Sequence, residues 1–178
     1  MILKRRIGIM RQAQLMRYFL SLGSNLGDRQ MNLRRARSLL EAEGMKIRRC
    51  SSVYETEPVD LPSSAAGAWF YNQAVEVDID LNPAELLPLV KKIEINMGRQ
   101  PSLSREPRVI DIDILLAEDS VIQTEDLMIP HPRLEKRNFV LIPLREISPL
   151  TCHPVLKMTI EELSDKSPDQ SVVRKIES

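Results

Sequence analysis

The segment at residues 105–116, REPRVIDIDILL, constrains the fold most, because two aspartates interrupt an otherwise apolar run. Apolar and acidic side chains alternate from Ile110 to Ile114, and this period of two residues predicts a β-strand. Asp111 and Asp113 then point to one face of the sheet, with their Cα atoms about 6.6 Å apart. Their charges would repel by roughly 2.5 kcal/mol at an effective dielectric near 20. A divalent cation would offset this repulsion; the alternative is a solvated strand face.

Hydrophobic periodicity elsewhere predicts the order strand, helix, strand, strand, helix, strand. Strands are predicted at residues 18–22, 46–56, 72–80 and 109–117, and helices at residues 28–43 and 83–97. This order is that of the ferredoxin-like fold. We therefore predict an α+β protein with a ferredoxin-like core, an antiparallel sheet with both helices packed on one face of it, as in an α/β sandwich.

The strand predicted at residues 72–80 carries a second acidic alternation, VEVDID. Its apolar residues are expected in the core, and Glu76, Asp78 and Asp80 are expected to face water. Beyond the last strand, a short helix is predicted at residues 140–147 and one helical turn at residues 159–164.

A chain of 178 residues suits one domain with a sizeable core. We expect residues 1–16 to be a disordered N-terminal extension, residues 17–166 to form the single domain, and residues 167–178 to be a polar C-terminal tail. The 25 basic residues balance the 25 acidic ones, so the net charge indicates neither a nucleic-acid nor a membrane partner. Two cysteines make no disulfide framework, which favours a cytoplasmic protein. We expect a monomer.

Basic loops flank the aspartate strand on both sides. Upstream lie Arg99, Arg105 and Arg108, and downstream lie His131, Arg133, Lys136 and Arg137. Carboxylates that bind metal between arginine-bearing loops are typical of a polyphosphate site. The plain alternative for several of these arginines is surface solubility. No P-loop or dinucleotide fingerprint is present in the sequence, so a nucleotide would be held in another way.

A second group of residues indicates a flat organic substrate. Residues 69–72, WFYN, place three aromatic side chains before an amide, and Phe139 lies in the second basic loop. Two aromatic rings can enclose a planar ring while Asn72 binds its edge. For any single aromatic residue, packing in the core is the alternative.

Five segments together resemble one enzyme family. They are YFLSLGSNLGDR, SSVYETEP, FYNQAVEVD, GR…PRVIDIDILL and IPHPRLEKRNFVLIPL, in that order. Over residues 18–149 the chain resembles the 6-hydroxymethyl-7,8-dihydropterin pyrophosphokinases of folate biosynthesis. The resemblance implies transfer of pyrophosphate from ATP to the hydroxymethyl oxygen of the pterin, giving the pterin diphosphate and AMP. Other two-carboxylate enzymes, such as nucleotidyltransferases or cyclases, and RNA-binding ferredoxin-like domains are the rival interpretations.

The resemblance also implies roles for residues around the phosphates. Asp111 and Asp113 match aspartates that hold two Mg²⁺ ions, and Arg99 and Arg108 match arginines of the catalytic loop and its exit. The remaining residues implied on the ATP side are Glu94, His131 and Arg137.

On the pterin side, the resemblance implies that Asn72 binds the edge of the ring. Phe70 and Phe139 match the two rings that sandwich the pterin, and the loop from Thr56 to Val59 matches backbone contacts beside it.

The chain departs from the family pattern in the catalytic loop. Arg105 and Glu106 precede Pro107 where many members carry R-W-G, and Pro101 replaces a common arginine. Either the loop works with fewer arginines, or Arg105 substitutes for one from a shifted position.

Overall fold

The computed structural model describes residues 15–59, 69–99 and 107–177. Within these ranges, eight strands run in chain order: β1 (Met16–Ser24), β2 (Lys46–Cys50), β3 (Tyr54–Thr56), β4 (Phe70–Ile79), β5 (Asp111–Ala117), β6 (Ile122–Gln123), β7 (Met128–Ile129) and β8 (Val173–Lys175). The helices are α1 (Arg29–Ala42), α2 (Pro83–Asn96), α3 (Asn138–Ile147) and α4 (Ile160–Asp165), with a 3₁₀ turn at Leu134–Lys136.

Six strands form one antiparallel sheet in the order β5-β1-β4-β3-β8, and β2 also pairs with β4. Helices α1 and α2 pack together on one face of this sheet. The predicted ferredoxin-like core with both helices on one face is therefore confirmed. Strands β6 and β7 form a separate two-stranded ribbon.

Capping residues explain where the two helices begin. The Asp28 carboxylate accepts the backbone N–H of Met31 at 2.9 Å, and Asn82 forms a capping box with Glu85. Their apolar faces bury leucine, valine and isoleucine side chains against the sheet residues Tyr18, Leu20, Leu22, Val75, Val77, Ile79, Ile112 and Ile114. Both helices thus cover one face of the sheet, and the opposite face is available to other elements.

Helices α3 and α4 cover the middle of that opposite face. Phe19 and Ala74 from the sheet pack there against Leu141 and Leu144 of α3 and Ile160 of α4. The predicted helix at residues 140–147 begins two residues earlier than expected, at Asn138. Because α3 covers only the middle, the two ends of this sheet face have different environments.

Two predictions about the strands need correction. Ser51, Ser52 and Val53 separate β2 from β3, so residues 46–56 are two strands rather than one. The expectation that Glu76 and Asp78 face water was wrong, since each is only 5% exposed. The alternation correctly placed them opposite the helix-side core, but arginines from neighbouring strands cover them.

The segment predicted as a polar C-terminal tail contains strand β8, which pairs with β3 at the edge of the sheet. This strand has only three residues, two of them basic, and is too short to show the alternation that predicts a strand. Residues 1–14 lie outside the described residues, and Met16 belongs to β1 rather than to an extension. The domain limits expected from the sequence stay a prediction. None of the helices in the described ranges is long and apolar enough to cross a membrane.

Candidate active site

A cavity of about 290 Å³ lies at one end of the sheet face that carries α3 and α4. Its walls are formed by the ends of β1, β3, β4 and β5, by helix α2, and by the start of α3 with the residues before it. All the predicted site residues except Glu94 line it: Thr56, Val59, Phe70, Asn72, Arg99, Arg108, Asp111, Asp113, His131, Arg137 and Phe139. The fold thus brings the two residue groups singled out in the sequence into one space.

Gly23 of β1 forms the floor between the two groups. It is in register with Asn72 of β4 on one side and with Asp111 of β5 on the other. A Cβ atom at Gly23 would lie 2.8 Å from the Asn72 Oδ1 atom, closer than such contacts normally come. Glycine therefore leaves room for the amide and for anything that binds between these strands.

Asp111 and Asp113 lie on the same face of β5, as predicted, while Ile110, Ile112 and Ile114 pack in the helix-side core. The Asp111 carboxylate accepts hydrogen bonds from Arg99 and, at 2.7 Å, from Arg108 Nη1. Burial raises the pKa of Asp111, but the charges of these two arginines outweigh it and the net shift is downward.

At Asp113 the effects on the pKa balance in the opposite direction, and the net shift is upward. Burial, and then the charge of Asp111, raise the pKa of Asp113 to about 6, although Lys91, Arg137 and Arg99 act against this rise. The ionised pair is therefore incompletely compensated by the chain itself. Further positive charge at Asp113 would be stabilising.

Glu94 lies beneath the cavity wall, with a side chain that is 2% exposed. Its Oε1 atom accepts the backbone N–H of Ile112 at 2.7 Å and a hydrogen bond from Arg99, and its Oε2 atom accepts one from Lys91 at 3.0 Å. Burial raises the pKa of Glu94 even against these cations. Glu94 thus fixes two cationic side chains of the wall to the strand that carries the aspartates.

The loop before α3 supplies His131, whose backbone N–H donates to the Leu115 carbonyl of β5 at 2.9 Å. Burial, and then the charges of Arg137 and Arg133, lower the pKa of His131 to about 4. The ring is therefore neutral at pH 7. Its Nδ1 atom accepts the Arg133 backbone N–H at 3.3 Å, which leaves Nε2 to donate.

Cationic side chains dominate the aspartate half of the cavity: Lys91, Arg99, Arg108, Arg133 and Arg137. Among the described residues, the acidic side chains of the lining are Glu57, Asp111 and Asp113. This surplus of positive charge around two carboxylates suits a polyanion that arrives with its own cations.

The opposite half of the cavity is suited to a flat ring. The Asn72 amide nitrogen donates to the Thr56 hydroxyl at 2.6 Å in a buried position, which fixes the orientation of the amide. Phe70 and Phe139 line the same space and both are half-buried. The Arg137 guanidinium lies 5.3 Å from the centre of the Phe139 ring, so the two halves of the cavity meet there.

Comparison with known proteins identifies the family. The family model of 7,8-dihydro-6-hydroxymethylpterin-pyrophosphokinase (HPPK) matches residues 19–149. The chain belongs to this family. It is 43% identical over 157 residues to the 2-amino-4-hydroxy-6-hydroxymethyldihydropteridine pyrophosphokinase of Bacillus subtilis, covering 88% of this chain and 87% of the relative. It is 40% identical over 149 residues to the Aquifex aeolicus protein of the same name, covering 84% and 91%.

Solved structures share the pyrophosphokinase fold at low sequence identity. The wild-type HPPK-DHPS of Plasmodium falciparum with STZ-DHP has a TM-score of 0.68 and 22% identity. The match covers 86% of this chain and 43% of that chain, and it supports the fold alone.

The departures from the pyrophosphokinase pattern lie in the loop after Arg99. Pro101, Arg105 and Glu106 fall outside the described residues. Whether Arg105 takes the place of the missing arginine therefore stays a hypothesis.

Sequence reasoning missed several residues that line the cavity: Ser21, Gly23 and Lys91. Lys91 precedes Glu94 by three residues on α2, which is the spacing of an ion pair on one helix face. That spacing could have suggested a link between the two residues. It could not have shown that α2 brings Lys91 to the aspartates, which depends on how the helix packs.

Proposed function

We propose that this member of the pyrophosphokinase family carries out its reaction in the cavity described above. The chain is a diphosphokinase of folate synthesis, which transfers pyrophosphate from ATP to 6-hydroxymethyl-7,8-dihydropterin. A new bond forms between the hydroxymethyl oxygen and the β-phosphorus of ATP. The bond from that phosphorus to the α–β bridging oxygen breaks, AMP leaves, and the hydroxyl proton is lost.

This location of the reaction is supported by one observation: a group of residues suited to phosphate and a group suited to a flat ring line the same cavity. Asp111 and Asp113 with their surrounding cations can bind a polyphosphate, and Asn72 with Phe70 and Phe139 can bind a flat heterocycle. The two groups are on adjacent parts of one sheet face, as an attack of a pterin hydroxyl on a phosphate requires.

Mg²⁺ fits the aspartate pair by its chemistry. The pair offers hard carboxylate oxygens, and the raised pKa of Asp113 reflects a charge deficit that a cation would remove. In the part of the chain that the structure describes, no group of three or more His, Cys, Asp or Glu side chains could hold a metal. Phosphate oxygens and water would therefore complete the ligand sets, which is common for Mg²⁺. When bound, the ions would neutralise charge on the transferring phosphates.

The arginines beside Asp111 have a second role in this proposal. Arg99 and Arg108 both pair with Asp111 and compensate its charge. Once a cation occupies the carboxylate, both guanidinium groups can bind phosphate oxygens, for which their planar donors are suited. Neutral His131 can donate a hydrogen bond from Nε2 to the same groups.

On the pterin side, Thr56 holds the Asn72 amide so that it presents a fixed donor and acceptor pattern. The fixed orientation matters because a freely rotating amide could present its oxygen and its nitrogen to the edge of a heterocycle in either order. Phe70 and Phe139 would stack on the two sides of the ring.

The direct test mixes the protein with MgATP and 6-hydroxymethyl-7,8-dihydropterin, and nucleotides are separated by chromatography. We expect AMP to form in equal amount with the pterin diphosphate, and only when the pterin is present. Release of ADP would indicate a simple kinase, and release of inorganic pyrophosphate would indicate nucleotidyl transfer. Either product, or an inactive protein, would overturn the proposal.

We also propose that the protein is a cytoplasmic monomer. Size-exclusion chromatography with light scattering would test the oligomeric state, and a stable dimer would contradict it.

A further inference from the structure

The C-terminal strap, residues 169–175, contacts one wall of the ring-binding half of the cavity. Strand β8 pairs with β3, so that Val173 is in register with Thr56. One residue further on, the backbone N–H of Glu57 donates to the Val172 carbonyl at 3.0 Å. The Val172 N–H in turn donates to the Glu57 carboxylate at 2.9 Å. The strap thus holds the segment that carries Thr56, the residue that orients Asn72.

The same strap contacts the opposite wall through Asp169. Its carboxylate accepts the backbone N–H of Asn138 at 2.6 Å, and its backbone carbonyl accepts the Asn138 side-chain N–H at 2.7 Å. The other carboxylate oxygen accepts the Ser171 N–H at 2.8 Å, which fixes the strap itself. Asn138 is therefore held by two hydrogen bonds from a residue 31 positions away.

Asn138 is the first residue of α3, and the residue before the helix makes no capping bond with its side chain. The first N–H groups of a helix lack partners within the helix, and a carboxylate is among the best groups to satisfy them. Asp169 supplies this cap from outside the helix. The residues on either side of the capped position, Arg137 and Phe139, both line the cavity.

We propose that Asp169 is a positioning residue for the heterocycle: by capping α3 from the C-terminal strap, it fixes Phe139 relative to the Thr56–Asn72 wall. This inference rests on the proposed function for the identity of the ligand. The strap joins the two walls of the ring-binding half. Loss of the cap loosens that half more than the phosphate half, where Arg137 is one of several cationic side chains.

The test compares steady-state kinetics of Asp169→Ala with the wild type, well below the unfolding temperature of both. We expect the KM for the pterin to rise about 5- to 10-fold, the effect of losing one helix cap. The KM for ATP should rise less than about 2-fold, because several other cations bind the phosphates. Asp169→Asn should restore part of the pterin affinity, since its one amide oxygen can cap Asn138 but cannot also accept the Ser171 N–H.

A matched control separates positioning from general destabilisation. Thr159 caps α4, where its hydroxyl accepts the Glu162 N–H, and this cap is not part of the cavity lining. Thr159→Ala should lower the unfolding temperature and leave both KM values unchanged. Equal rises in the two KM values for Asp169→Ala, or the same pterin effect in Thr159→Ala, would overturn the proposal.

A second measurement uses only the wild-type protein and therefore does not depend on whether a variant folds. Because coupling between two sites is reciprocal, the pterin should slow amide hydrogen exchange at Asn138 and Val172 in the wild-type protein. ATP alone should slow it less. Unchanged exchange in an enzyme that makes AMP would reject the role of the strap, whereas absence of AMP formation would reject the proposed function itself.

Discussion

The two ends of one sheet face carry the same sequence pattern but differ in their charge balance. Glu76 and Asp78 of β4 lie two residues apart at one end, and Asp111 and Asp113 of β5 lie two residues apart at the other. Arg17 contacts both acids of the first pair, at 3.1 and 3.2 Å, and Arg48 and Arg49 add one further contact each. We call these the arginine-covered end and the cavity end.

The pKa values show the contrast between the two ends. Burial raises the pKa of Asp78, but the hydrogen bonds from Arg48 and Arg17 outweigh it and the net shift is downward. At the cavity end the arginines contact Asp111, and the pKa of Asp113 rises to about 6. A paired acid of the first kind stabilises the fold. An incompletely paired acid such as Asp113 lowers the stability of the fold until a ligand supplies positive charge beside it. Such groups are typical of functional sites.

The largest expected difference between the ends is in catalysis. Asp111→Asn and Asp113→Asn should each lower kcat by about 10²–10³-fold or more, because they remove charge stabilisation at the transferring phosphates. Glu76→Gln, at the arginine-covered end, should leave kcat within about 2-fold. Measurement of AMP release with saturating substrates tests this, and near-normal turnover in either aspartate variant would contradict the account.

Removal of an acid at the arginine-covered end should instead reduce stability. Asp78→Ala breaks charge-assisted hydrogen bonds to Arg17 and Arg48, and should lower the free energy of unfolding by about 2–3 kcal/mol near pH 7. The folded-state pKa of Asp78 is depressed, so this contribution is present above the unfolded pKa and is lost as the pH falls through the folded pKa. Urea titrations at pH 7 and pH 3 test this. An unchanged unfolding free energy at pH 7 would mean that the arginines do not compensate the pair.

The comparison extends to the aromatic side chains of this face. Phe139 lines the cavity, whereas Phe19 is 4% exposed beneath α3. Phe139→Ala should weaken pterin binding by about 1–3 kcal/mol, a typical loss for a stacked ring, and leave ATP binding largely intact. Calorimetric titration with each ligand tests this. Equal losses for both ligands would show that Phe139 acts structurally, as Phe19 does.

The smallest expected effect is a gain in stability at the cavity end. Asp113→Asn should raise the free energy of unfolding by about 1–2 kcal/mol in metal-free buffer at pH 8. This is less than the roughly 3 kcal/mol that a shift of about two pKa units would give at about 1.4 kcal/mol per unit, because Asp113 is partly exposed and solvent screens its charge. The folded-state pKa of Asp113 is raised above its unfolded value. Its ionisation therefore opposes folding as the pH rises through about 6. The gain should vanish near pH 4, and a constant or negative difference between pH 4 and pH 8 would contradict it.

The sequence was sufficient to predict the features that depend on local pattern. The alternation at Ile110–Ile114 correctly placed Asp111 and Asp113 on one face, and the two helices predicted at residues 28–43 and 83–97 form within one residue of those bounds. The family resemblance named site residues between Thr56 and Phe139, and the fold brings all of them except Glu94 into one cavity. A periodic pattern shows which side of a strand is apolar. The face on which Asp111 and Asp113 lie follows from this pattern alone.

The features that the sequence did not reveal depend on contacts between distant residues. Alternation gave the correct face for Glu76 and Asp78 but could not show that arginines of other strands cover it. The pairing of β8 with β3, and the cap that Asp169 provides to α3, join residues that are far apart in the chain. No local signal encodes such partners, because they are determined by how the elements pack.

We propose that the cavity end, and not the arginine-covered end, needs an added cation. The most direct test of this claim is calorimetric titration of a non-hydrolysable ATP analogue into wild type, Asp113→Asn and Glu76→Gln, each in Mg²⁺ and in EDTA. We expect Mg²⁺ to tighten binding at least about tenfold, or 1.4 kcal/mol, in the wild type and in Glu76→Gln. In Asp113→Asn most of this gain should disappear, because the carboxylate that binds the cation is absent. A full Mg²⁺-dependent gain in Asp113→Asn, or its loss in Glu76→Gln, would contradict the account.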